Sequence, residues 1–226
     1  MKALAIDCAV TRLIVAAKND DNMCAAVYDI GMKQSETIVN AVDYVLEKVG
    51  ITAKELDYTC VTAGPGSFTG LRLGFSVLKA LTLANNTPLY AISSLKIHAW
   101  PYLESELPVL CGIDAKKDRF YANLTAGGKE ILADGDYEIP AIIEKANQFE
   151  KIFVCGTDNE VFCKLLSEND LKAKVFSPKV QALSAESMFQ ITEKMIADGE
   201  KPLADYDGPV YLRASEAEVK LSEKKN

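Results

Sequence analysis

Apolar positions along the chain change their spacing several times, and each change marks an element. Residues 2–9 (KALAIDCA), 12–18 (RLIVAAK) and 23–30 (MCAAVYDI) are apolar runs separated by only a few polar positions. Runs so close together pair through tight turns, so the spacing predicts an antiparallel meander. The period then changes. Ile38, Val42, Val45, Leu46 and Val49 recur at helical spacing, Val39 and Ala41 widen the stripe, and Gly50 stands where a C-cap belongs. Thr52 to Glu55 (TAKE) has the spacing of a capping box for a single turn. A β-branched strand over 57–63, a long helix over 68–86, a strand over 88–93 and a helix stopped near Pro101 complete this half.

The rhythm then starts again. Residues 108–114 and 119–125 read as strands joined by the hairpin-like turn AKKD, and 129–135 supplies a third. A helix is predicted from Pro140, a strand over 151–156, a helix over 158–169 and a strand over 172–178. Ser184 is predicted to cap the helix 185–199, with Met188, Ile191 and Met195 on one face and Gly199 at its end. Residues 208–216 (GPVYLRASE) form a last short element, followed by a charged tail. The repetition predicts two similar α/β lobes, residues 1–105 and 106–226.

Composition narrows the function. No apolar run approaches the ~20 residues of a membrane helix, and Asp7 interrupts the only N-terminal apolar stretch. A cytoplasmic protein without a signal peptide is expected. The net charge of −7 argues against direct nucleic-acid binding. The local basic spots at 115–119 and 222–226 read as a solvated loop and tail. Six cysteines form no C-x-x-C pair, which disfavours a zinc site and fits a reducing compartment. His98 is the only histidine, so a metal pair of histidines is excluded, and a Ser–His–Asp triad would have to use it. It sits in a helix-like stretch beside Trp100 and reads as structural.

The densest motif is TAGPGSFTGLRLG, residues 62–74. After Gly70 come Leu71 and Arg72 where a Walker loop needs Lys and a hydroxyl, and the spacing Gly64, Gly66, Gly70 is one residue too long for a dinucleotide fingerprint. Pro65 and Gly66 read as a turn and Ser67 as an N-cap, in preference to an anion site at the helix start. Gly70 and Gly74 share one helix face, each at a cost of about 1 kcal/mol relative to Ala. Leu71, Phe75, Leu78 and Leu81 already supply a core stripe. The bare glycine face is therefore expected to meet a partner, the alternative being an internal contact. With the broadly apolar helix before it, it predicts a helical docking face formed by 35–49 and 68–84.

These residues carry a resemblance. GPGSFTGLRLG closely resembles the signature of the TsaB (YeaZ) family of tRNA threonylcarbamoyladenosine synthesis, and LAIDCAVT, PLYAISSLKIHA, GIDAKKDRFYANL and PVYLR follow the family's order along nearly the whole chain. The resemblance implies an α/β two-lobed ASKHA fold, related to actin, Hsp70, sugar kinases and ribonuclease H. It sets Asp7, Thr11, Asp114 and Gly156 at the places of a nucleotide site. DCAVT and DAKKD lack the glycines that let backbone approach phosphate, so that site reads as degenerate. The resemblance further implies no catalytic or metal-binding residues and no tightly held cofactor, with ATP or ADP only at the interface of a complex. The expected role is a dimerisation subunit that pairs with the catalytic paralogue TsaD, joins the ATPase TsaE, forms a homodimer alone, and meets tRNA only through the complex. The family's docking surface maps onto Ile38, Val42 and Val45, and onto Gly64, Pro65, Gly66, Ser67, Phe68, Thr69, Gly70, Leu71, Arg72 and Gly74. Gln34-Ser35-Glu36 departs from the family's usual His-Ser-Glu. The alternatives are a nucleotide-dependent kinase or ATPase of the same fold using Asp7 or Asp114 and, with little weight, a peptidase using His98.

Overall fold

The meander forms from the first three apolar runs. In the computed structural model, which describes residues 1–213, these are β1 (Lys2–Asp7), β2 (Leu13–Asn19) and β3 (Asn22–Tyr28). They are followed by α1 (Gln34–Val49), β4 (Tyr58–Gly64), α2 (Phe68–Asn85), β5 (Leu89–Ser93) and α3 (Ser94–Ala99). The second series is β6 (Val109–Asp114), β7 (Arg119–Ala126), β8 (Lys129–Glu138), α4 (Ile139–Ala146), β9 (Lys151–Cys155), α5 (Asn159–Glu168), β10 (Lys174–Phe176) and α6 (Ser184–Ala197).

The two sheets have the same construction. One runs β3-β2-β1-β4-β5 and the other β8-β7-β6-β9-β10. In each, a three-stranded antiparallel meander continues into two parallel strands. The central strand of each sheet ends in an aspartate, Asp7 on β1 and Asp114 on β6. The repeated α/β lobes expected from the sequence are therefore present.

Several caps form as their residues predict. Gly50 takes φ +70° and ends α1, while Ser67 Oγ accepts a hydrogen bond from Gly70 N at 3.2 Å and starts α2. Thr52 and Glu55 close a capping box around one 3-10 turn. Ser184 does not cap. Leu183 holds that position without a side-chain bond, and Ser184 Oγ is buried inside the first turn with no partner.

One face of the first sheet is covered by α1 and α2. Leu4, Ile6, Leu13 and Val15 pack there against Ile38, Val42, Val45, Phe75 and Leu78. Alternation along the strands sends Ala3, Ala5 and Ala16 to the other face, with Tyr58 and Cys60 beside them. That face is covered by α6, through Ala185, Met188, Phe189 and Ile191. Glu193 on α6 accepts from Lys18 Nζ at 2.6 Å and from Tyr58 OH at 3.1 Å. The expected division at residue 105 thus needs correction. The second lobe packs around 109–176, and α6 crosses back to finish the first. Its own core joins Leu110, Phe120 and Leu124 to Ile142, Phe162 and Leu166. Between the lobes, Leu95 and Ala99 of α3 pack on Val109, Cys111 and Ile113.

Residues 208–213 form neither helix nor strand, against the short element expected there, although Val210 N donates to Ala63 O at 2.8 Å. Residues 214–216 of that stretch and the basic tail 222–226 lie outside the described residues. Among the described residues, no helix is long and apolar enough to cross a membrane.

Candidate functional site: an interlobe cleft and the outer face of two helices

A cleft of about 920 Å³ separates the lobes. Its walls are the β1–β2 turn at Ala9 to Thr11, the loop from Gly66 to Gly70, the β6–β7 turn at Asp114 to Lys117, Asp158 and Arg213. The two aspartates do the same local work in both lobes. Asp7 Oδ1 accepts from Ala9 N at 3.1 Å, and Asp114 Oδ1 accepts from Lys116 N at 2.7 Å. Each is an Asx turn closing the hairpin behind its strand. Asp114 also pairs with Lys116 Nζ at 2.5 Å, which raises the lysine pKa. Thr11 lines the cleft, and its carbonyl accepts from Gln34 Nε2 at 3.1 Å. Gly156 takes φ +122°, and a Cβ there would lie 1.9 Å from Gly112 O. Its lack of a side chain lets β9 leave the sheet directly against β6.

Asp158, which the sequence did not single out, joins this group. Its Oδ2 accepts from Asp114 N at 3.3 Å and from Thr157 Oγ1 at 2.9 Å. His98 is half-buried on α3. Burial lowers its pKa, against the opposing pull of Asp7 and Asp158. Cys8, buried in the core below the β1–β2 turn, is pushed up to about 12 by burial, with Asp7 adding to the effect, so it is held as a thiol.

The charged residues that line the cleft are of both signs. A triphosphate needs free cations and free backbone N–H groups. Here Asp114 and Asp158 present carboxylates, Lys116 is committed to Asp114, Arg213 Nε is committed to Asp136 at 2.8 Å, and Lys117 lines the cleft beside them. The first hairpin is also covered. Ser67 N donates to Ala9 O at 2.6 Å, and a Cβ on Gly66 would lie 2.2 Å from that same oxygen. The glycine loop rests on the β1–β2 turn. Among the described residues, no three His, Cys, Asp or Glu side chains group as a cation site.

The glycine face of α2 points inward, which corrects the expectation that it meets a partner. A Cβ on Gly70 would lie 1.9 Å from Cys8 O, and one on Gly74 would lie 2.9 Å from Cys8 Sγ and 3.2 Å from Val61 Cγ2. Small residues at these positions bring α2 onto β1. Other expected docking residues are internal for the same reason. Ile38, Val42, Val45 and Leu71 are core side chains, and Gly64 and Pro65 are buried. Phe68 is stacked under Tyr211 with ring centroids 4.5 Å apart, and Arg72 Nε donates to Tyr211 OH at 3.0 Å. Of the thirteen, Ser67, Thr69 and Arg72 are exposed.

The two helices still offer an outer surface. α1 and α2 are neighbours in one layer on the same sheet face, so their outward sides adjoin. Outside the core stripes, α1 exposes Val39 at 58 % and Tyr44 at 47 %, and α2 exposes Leu83 at 81 %. Val39 was legible as the residue that made the α1 stripe too wide. Leu83 falls off the α2 core stripe in the same way.

A family model described as "TsaD: tRNA N6-adenosine threonylcarbamoyltransferase" matches residues 31–220. The tRNA threonylcarbamoyladenosine biosynthesis protein TsaB of Escherichia coli (strain K12) is 29% identical over 98% of this chain and 98% of its own. Among solved structures, a Pseudomonas aeruginosa protein described as similar to peptidase YEAZ superposes with a TM-score of 0.77 at 22% identity, over 94% of this chain and 99% of that one. An inorganic polyphosphate/ATP-glucomannokinase from Arthrobacter sp. strain KM shares the fold alone, with a TM-score of 0.51 at 11% identity over 85% of this chain and 99% of the kinase.

Proposed function

The chain belongs to the family that the TsaD model describes and, within it, to the TsaB (YeaZ) proteins, and on that premise we propose that it serves tRNA threonylcarbamoyladenosine biosynthesis as a non-catalytic subunit. In this reading it works in the cytoplasm, docks on a TsaD-type transferase and pairs with a second copy when alone. TsaE joins through that complex, any ATP or ADP sits at the complex interface, and tRNA is held by the partner. The observation that carries the reading is that the neighbouring helices α1 and α2 hold three large apolar side chains, Val39, Tyr44 and Leu83, out of the core. Large apolar side chains held out on neighbouring helices are suited to a partner. Support also comes from the cleft, whose aspartates are tied into hairpin turns, and from a net charge of −7, which is unsuited to primary tRNA contact.

The test uses Val39→Glu and Leu83→Glu, which alter the surface and leave the core alone. Titrating each into a purified TsaD-type protein on a size-exclusion column should show at least a tenfold loss of complex, about 1.4 kcal/mol, with the thermal midpoint unchanged. Complex formation at the original affinity by both variants would remove the docking surface from these helices.

A further inference from the structure

The PVYLR stretch singled out in the sequence adds one wall residue, Arg213, to the cleft, and it also makes specific contacts to both lobes. We propose that residues 208–213 are a latch that joins the first turn of α2 to the second lobe, so that the position of that lobe and the geometry of the turn are set together. This is read on the isolated chain and stands whether or not α1 and α2 dock a partner.

The segment reaches the latch already fastened to the first lobe. Leu203 N donates to Leu89 O at 2.8 Å, and Lys79 Nζ donates to Asp205 O at 2.7 Å. Val210 N then donates to Ala63 O at 2.8 Å, and the Val210 carbonyl lies where a Cβ on Gly64 would be 2.5 Å away. The glycine at that position is what admits the segment. Tyr211 stacks on Phe68, with ring planes 19° apart, and its hydroxyl accepts from Arg72 Nε. Phe68 and Arg72 bracket the first turn of α2.

Two residues later the chain is on the other lobe. Arg213 Nε donates to Asp136 Oδ2 at 2.8 Å, and its Nη1 donates to Ala115 O at 2.9 Å. Two residues of extended chain span only about 7 Å, so Tyr211 and Arg213 cannot follow different lobes without one of them letting go. The anchor on the second lobe is itself fixed. Asp136 is 14 % exposed and takes a second guanidinium, Arg119 Nε at 2.8 Å. The covalent connections between the lobes run through 100–108 and 177–183, so the latch is a further tie, placed at the mouth of the cleft that Arg213, Phe68 and Ala115 line. Because 208–213 has no regular structure, these bonds and stacks, with Leu212 packed on the apolar cluster between the lobes, decide where it lies.

The test reads each end of the latch after breaking the other. Asp136→Asn changes only the second lobe, and Tyr211→Ala releases only the first. Hydrogen exchange on the full chain should then show the amides of 66–72 exchanging at least about tenfold faster in Asp136→Asn, and those of 115–119 faster by a similar factor in Tyr211→Ala. The amides of β1 and β6 should keep their original rates in both. Arg213→Ala, which also releases the second-lobe end, should reproduce the effect on 66–72 and takes the place of Asp136→Asn if that variant does not fold, and Phe68→Ala, which removes the ring under Tyr211, takes the place of Tyr211→Ala. Changes confined to the altered end, or an equal rise throughout the chain, would overturn the latch.

Discussion

A Cβ on Gly70 would lie 1.9 Å from the Cys8 carbonyl oxygen, and no side-chain rotation relieves a clash with backbone. The sequence shows the cost of two glycines in a helix interior and shows that they share a face. It does not show which neighbour that face meets, because the neighbour is a strand some sixty residues earlier. Gly70→Ala therefore sets two effects against each other. Helix propensity gains about 1 kcal/mol, while forcing α2 off β1 costs about 1–3 kcal/mol in an overpacked core. Because the obstacle is backbone, the second effect should win, and urea unfolding should show a lower midpoint. A higher midpoint would mean that α2 is not held against the β1–β2 turn. His98 gives a second residue-scale prediction. Burial depresses its folded pKa. The unfolded chain then binds a proton, near pH 6.5, that the folded chain refuses. By linkage the His98 contribution is complete above about pH 6.5 and falls as pH drops toward the folded value. Because His98 is the only imidazole, its proton resonance should titrate with a midpoint below 6.5. Replacing it in His98→Phe should flatten the loss of stability between about pH 7 and 5. A midpoint at or above the unfolded value would contradict the burial argument.

At the scale of elements, the hydrophobic spacing carried most of the fold. Two close-set apolar runs followed by a third at β1 to β3 left only an antiparallel meander, and the same rhythm at β6 to β8 predicted the second lobe. Caps that depend on one residue and its i+3 partner, such as Ser67 with Gly70 and Thr52 with Glu55, were legible because all their atoms are local. Ser184 was misread because its neighbour Leu183 begins the helix, which turns the serine hydroxyl into the packed first turn. The stripe on α6 announced a buried face without naming the sheet that buries it. Ala3, Ala5 and Ala16 lie in runs that read only as strands, and their small size is what lets α6 settle on the first sheet. The α1 stripe was wider than one core face needs, and Val39 is the excess. Gln34 donates a side-chain N–H to the Thr11 carbonyl and so ties the start of α1 to the β1–β2 turn. The Asp7 and Asp114 turns were legible as turns. Asp158 and Arg213 were not legible as cleft residues, because each comes from a segment distant in sequence from the hairpins it meets.

The whole molecule differs from two lobes laid end to end, and the difference can be measured. Equal strand orders suggest that each half can stand alone, but the first sheet is completed by residues 184–197. Without α6, Tyr58, Cys60 and Ile92 would lose their cover, and Met188, Phe189 and Ile191 would lose theirs. Three large α6 side chains at ~2 kcal/mol each, with a similar amount from the sheet, amount to roughly 10 kcal/mol. That matches the entire stability of an ordinary domain, about 5–15 kcal/mol. The Lys18–Glu193 and Tyr58–Glu193 contacts would go as well, leaving Lys18 without its carboxylate. A fragment of residues 1–105 should therefore carry strand and helix content without a cooperative thermal transition, and should bind a dye that reports exposed apolar surface. Adding a peptide of residues 183–213 should restore a cooperative melt, since it returns both α6 and the segment on Ala63 and Phe68. A cooperative melt by the fragment alone would show that α1 and α2 suffice to hold the sheet, and that α6 is an addition to a lobe that was already complete.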